Sequence, residues 1–123
     1  MAPAKWDVVE GKRVIDGRTL SEWASVAADE VAAAVDPLEI VLFGSVARGD
    51  DTPDSDIDLL VVFEHLPRPA RHEAAATVRR AIHVPAAVDV LVTDLDELAE
   101  RGDLPGALRV ARREGRVLHA RAR

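Results

Sequence analysis

Asp56 and Asp58 stand where the acidic loop DDTPDSDID runs into the apolar stretch LLVVF. Side chains alternate across a strand, so residues two apart share a face, and both carboxylates belong to one side at the strand's start. Two hard oxygen donors placed this way suit Mg²⁺. Ten residues separate Asp56 from Gly44-Ser45, and that pair breaks LEIVLF, which reads as a buried strand. A glycine-serine turn presents free N–H groups and a hydroxyl to phosphate oxygens. Metal donors on one side and a phosphate cradle on the other describe a site for a nucleoside triphosphate. Arg48, close after the turn, could pair with the triphosphate, since a planar cation suits phosphate oxygens. Its alternative is a surface ion pair with Asp50 or Asp51. Ser55 is a candidate to support the nucleotide by capping or orienting the strand entrance.

Other readings of the same residues compete with this one. Pro-Asp-Ser-Asp is also good turn chemistry, and acidic residues at a strand's start are often only solvated. Asp54, Asp56 and Asp58 imitate the opening of a calcium loop, but its sixth and twelfth positions, which need glycine and glutamate, hold Leu59 and His65. Gly44 and Gly49 have the separation of P-loop glycines, yet Asp50-Asp51 stands where lysine and Ser/Thr are required. His65, His72, His83 and His119 show no metal-ligand spacing. Trp6 and Trp23 suit packing or an interface better than base stacking, and there is no tyrosine and only two phenylalanines to add to them.

The elements that must position these residues follow from periodicity and punctuation. Thr19 and Glu22 form a capping box, after which Leu20, Trp23, Ala27, Val31 and Ala34 keep helical spacing until Asp36-Pro37. A strand over 38–43, the turn with a short helix, the acidic loop and a strand over 56–63 come next. Pro67 and Pro69 mark a boundary, and RHEAAATVRRAI has the pattern of an amphipathic helix ending before Pro85. A strand over 87–92, a capping signature at Asp94 and Glu97, a short helix over about 105–114, a stop at Gly115 and a terminal strand RVLHA complete the order. Helix and strand alternate, which predicts an α/β sandwich with a mixed sheet flanked by helices. Residues 1–18 are expected to form a hairpin or an extra arm.

At 123 residues the chain is expected to be one domain, too small for a catalytic domain plus a separate acceptor-binding domain. A net charge of −6 argues against tracking along nucleic acid, which needs a clustered positive surface. The basic cluster Arg109, Arg112, Arg113, Arg116, Arg121 and Arg123 reads as a solvated face or tail, with a partner protein or a nucleotide phosphate as its alternative client. Without cysteine there is no disulfide, thiolate zinc site or cysteine nucleophile. No apolar run reaches membrane-spanning length, and the first residues lack the core of a signal peptide, so a cytoplasmic protein is expected.

The composite of Gly-Ser, ten residues and Asp-x-Asp resembles the nucleotidyltransferase superfamily that includes DNA polymerase beta. More narrowly, GSVARGDDTPDSDIDLLVVF resembles the minimal nucleotidyltransferase domain, the antitoxin partner of HEPN toxins, over roughly residues 36–118. The resemblance implies the polymerase beta-like fold over a single domain, 19–123, and a third acidic residue on a later strand, for which Asp89 in AAVDVLV is the match. A carboxylate there is costly to bury alone, and a shared metal would compensate it. It further implies two Mg²⁺ ions held by Asp56, Asp58 and Asp89, with ATP phosphates held by Gly44, Ser45 and Arg48. The activity implied is AMP transfer to a tyrosine of a small helical HEPN toxin. Two other readings stand beside it: an antitoxin acting by occupation alone, and a small-molecule adenylyltransferase that completes its pocket as a homodimer.

Overall fold

The computed structural model describes residues 5–101 and 113–121. Helix α1 (Leu20–Val35) starts at Thr19, whose hydroxyl accepts from the Glu22 N–H at 3.2 Å while the Glu22 carboxylate accepts from the Thr19 N–H at 3.0 Å. Both bonds of the capping box are therefore made. The helix buries Leu20, Ala24, Ala27, Ala28 and Val31, a stripe of helical period whose alanines bring its backbone close to the layer beneath. It ends where Asp36 turns left-handed at φ 46° and donates to the Ala32 carbonyl, ahead of the buried Pro37.

That layer is a four-stranded sheet of order β6-β5-β4-β7, built from β4 (Glu39–Phe43), β5 (Ile57–Phe63), β6 (Val88–Asp94) and β7 (Arg116–Ala120). β5 and β6 run parallel, and β4 runs antiparallel to both β5 and β7. The mixed sheet flanked by helices is thus the architecture the sequence predicts. Alternation along the strands divides the core in two. Ile40, Leu42, Ile57, Leu59 and Val61 face one way, and pack with the α1 alanines and with Val78 of α3 (Arg71–Ala81). Val41, Phe43, Leu60 and Val62 face the other way and meet Leu98 of α4 (Leu95–Arg101). Asp58 shares the parity of Leu60 and Val62, so it belongs to this second face.

Strand bounds differ in places from the sequence reading. β5 begins at Ile57, which leaves Asp56 just ahead of the ladder, and β6 continues to Asp94. α4 starts directly after Asp94, whose carboxylate accepts from the Glu97 N–H at 2.9 Å, so the capping signature operates at Leu95. The helix expected over 105–114 lies almost wholly outside the described residues, as do Arg109, Arg112 and Arg123 of the basic cluster. Within that cluster, Arg116 donates to Ser21 at 2.7 Å, and Arg121 pairs with Asp36 and Glu64 at 3.4 and 3.2 Å.

Ahead of α1, a separate antiparallel sheet joins β1 (Trp6–Val9), β2 (Lys12–Ile15) and β3 (Arg18–Thr19). Glu10 and Gly11 both have positive φ, 53° and 80°, as a two-residue turn matched to strand twist requires. The Ile15 side chain is buried, and its carbonyl accepts from the Trp23 indole N–H at 2.8 Å, which fixes the end of β2 to α1. Among the described residues, no helix is long and apolar enough to cross a membrane.

Candidate active site

β4 is extended up to Phe43, and the chain then reverses at Gly44 into the five-residue helix α2 (Gly44–Arg48). Phe43 is the register partner of Asp58, so the reversal happens beside that carboxylate. Gly44 has φ 75°, and a Cβ placed on it would collide with Asp58 Oδ2 and lie 3.3 Å from Asp58 Cγ. Glycine is required here twice over, by its backbone angle and by the close approach. The glycine-serine turn and the second aspartate of the motif are thereby adjoining.

Asp58 lies opposite Asp89 in the parallel β5–β6 ladder. Adjacent strands are about 4.8 Å apart, so the two residues are neighbours across the sheet. Burial raises the Asp58 pKa above the ordinary aspartate value; the charges of Asp89 and then Asp56 raise it further, while Arg48 pulls it down. Asp56 and Asp89 are exposed and Asp58 is half-buried. A half-buried carboxylate repelled by two others fits a bound cation, which would relieve both burdens. The residues present therefore suit a divalent metal beside the glycine-serine turn.

The remaining motif residues lie on α2 and on the loop that follows it. Ser45 accepts through its carbonyl from the Gly49 and Asp50 N–H groups at 3.0 and 3.1 Å, closing α2, and Gly49 ends it at φ 83°. Arg48 pairs with Asp50 at 3.2 Å and with Glu114 at 3.0 Å, on the surface, and both partners raise its pKa through hydrogen bonds, Asp50 more than Glu114. The Ser55 hydroxyl accepts from the Thr52 N–H at 2.9 Å, closing the turn through which the chain reaches Asp56. Asp51, read from the sequence as a possible partner of Arg48, pairs instead with Lys12 at 2.9 Å. Lys12 was not legible as a site residue, because its contacts with Gly49 and Asp51 span 37 and 39 positions and no local pattern announces them.

At the other end of the same strands, donor atoms of His65, Asp94 and Asp96 lie within 4.8 Å of one another. Folding thus gathers a histidine that local spacing left unassigned. Asp94 already has two backbone partners, however, accepting from Leu66 N–H at 2.8 Å and Glu97 N–H at 2.9 Å. Those hydrogen bonds, Glu97's first, hold its pKa below the ordinary value, and Arg71 adds to them. It serves there as a helix cap and loop anchor. A cavity of about 360 Å³ between α4 and the sheet is lined by Val41, Leu60, Val62, Leu95, Leu98 and Val117, among others, and holds none of the motif residues.

Residues 25–111 match the family model of the nucleotidyltransferase domain, well over half of the chain, and the chain belongs to that family. A solved structure of a candidate nucleotidyltransferase from Sulfolobus solfataricus is similar in sequence and shape, at 30% identity and a TM-score of 0.61, covering 83% of this chain and 81% of that one. No curated protein matches the chain. The motif residues Gly44, Ser45, Asp56, Asp58 and Asp89 all fall inside the matched segment. Nucleotidyl transfer is therefore the chemistry of its class.

Proposed function

We propose that the chain transfers AMP from ATP, with Mg²⁺, to a tyrosine hydroxyl of a partner HEPN-type toxin and so acts as its antitoxin. The observation that carries the catalytic part is the seating of Gly44 against the carboxylate of Asp58, with Asp89 beside it in the ladder. The choice of partner rests on the resemblance of GSVARGDDTPDSDIDLLVVF to minimal nucleotidyltransferase domains. Asp56, Asp58 and Asp89 would hold the metal, which when bound supplies positive charge to the α-phosphate and to the departing pyrophosphate. Gly44 N–H and Ser45 bind the outer phosphates, and Arg48 would join them by exchanging its surface partners. The acceptor oxygen attacks the α-phosphorus, the bond from that phosphorus to the bridging oxygen breaks, and pyrophosphate leaves. Asp89 would accept the hydroxyl proton.

The test is to incubate the chain and its copurified helical partner with ATP and Mg²⁺ and weigh both by intact mass spectrometry. The proposal expects one added AMP on the partner, lost when Asp56 and Asp58 are both changed to alanine. An unmodified partner that the double variant still neutralises fully would leave inhibition by occupation instead. Modification of small molecules without any partner would favour the homodimeric adenylyltransferase.

A further inference from the structure

Lys12 precedes the residues matched by the family, yet its ammonium donates to the Gly49 carbonyl at 2.5 Å and to Asp51 Oδ1 at 2.9 Å. The Asp51 side chain is only 7% exposed, against 39% for Lys12. A carboxylate so enclosed needs a compensating partner, and removing that partner leaves a buried charge alone. The Gly49 carbonyl belongs to the residue that ends α2, one turn beyond Ser45. From Asp51 the chain passes through the Thr52–Ser55 turn and arrives at Asp56. Both grips of Lys12 therefore fall on the connection between the glycine-serine turn and the first aspartate of the motif.

Lys12 itself is held firmly. It sits on β2, the central strand of its sheet, between β1 and β3. The far end of that strand is fixed by the buried Ile15 and by the indole N–H of Trp23 on α1. A cation carried on an anchored strand can set the path of a loop that has few apolar contacts of its own.

We infer that Lys12 is a positioning residue for the nucleotide site: it latches the 49–51 segment so that the phosphate-binding turn and Asp56 keep the spacing that a metal–triphosphate complex needs. The identity of the bound nucleotide rests on the function proposed above. The N-terminal sheet thereby becomes a brace for the site, through one ammonium group.

Three variants of the full chain test this: Lys12→Met, which keeps the stem and removes the charge, Lys12→Arg, and Lys12→Met combined with Asp51→Asn. Two measurements are made, the dissociation constant of Mg²⁺–ATP by calorimetry and amide hydrogen exchange over residues 49–56. Lys12→Met should weaken Mg²⁺–ATP about ten-fold, equivalent to about 1.4 kcal/mol, and speed exchange in that segment. Arginine should recover most of the affinity, and Asp51→Asn should recover part of it in the methionine background by removing the stranded carboxylate. Unchanged exchange in Lys12→Met would overturn the latch. Faster exchange with unchanged affinity would overturn the positioning role and leave a mere staple, which lowers the unfolding midpoint alone. Wild type with no affinity for Mg²⁺–ATP would sink the proposed function, and exchange would still decide whether Lys12 fixes the loop.

Discussion

Gly44 is the residue at which the proposed phosphate cradle meets a proposed metal donor, because a Cβ there runs into the Asp58 carboxylate. Gly44→Val should therefore damage Mg²⁺–ATP binding far more than Ser45→Ala, which leaves the backbone donors in place. Calorimetry on the two variants decides, and equal affinities for wild type and Gly44→Val would remove the cradle from the account. Asp58 also sets a pH dependence. Its folded pKa is raised, so in the absence of metal the folded chain holds that proton more tightly than the unfolded one. Stability should fall as pH rises from the ordinary aspartate value through the folded value, and urea midpoints of Asp58→Asn should lack that fall. Asp94 has the opposite sign. Its lowered pKa means a contribution present above the unfolded value and lost as pH falls through the folded one. The aspartates and the glycine-serine pair were legible because their types and spacing are local, whereas Lys12 and His65 meet their neighbours only through the fold.

At the scale of elements, α1 carries the clearest local signal and the clearest stability test. Thr19→Ala removes the hydroxyl that accepts from Glu22 N–H and should cost about 1 kcal/mol in urea unfolding, with glycine at that position costing less. Leu59 is fully buried between Asp58 and Leu60, facing the α1 and α3 side. Leu59→Ala should cost about 3 kcal/mol by opening a cavity, and its midpoint in the same assay would show it. The strands and α1 were readable from the sequence because apolar period and turn residues agree there, as between Asp36-Pro37 and the run ending at Phe43. The start of β5 was not, because Asp56 and Asp58 share a side-chain pattern but only Ile57 onward finds a partner in the ladder. Boundaries depend on which neighbour the strand meets, and Val88 of β6 supplies that neighbour for Ile57.

The four-stranded sheet has two unlike faces, one packed against α1 and α3 and the other carrying Phe43 and Leu60, with Asp58 the register partner of Phe43. Asp58 and Asp89 are register partners at the start of β5 and β6, with Asp56 just ahead of the ladder, and donor atoms of His65, Asp94 and Asp96 lie close together at the other end of the same strands. The proposed nucleotide-linked metal belongs at the first of these places, where the glycine-serine turn adjoins Asp58. Mn²⁺, a paramagnetic stand-in for Mg²⁺, can locate the ion directly when added with ATP to the isotope-labelled chain, by the broadening of amide resonances in solution NMR. Broadening should centre on Gly44–Val46, Asp56–Asp58 and Asp89, and should require ATP for its full extent. Broadening centred on His65 and Asp96, with Gly44 and Asp58 untouched, would contradict the assignment of the active site.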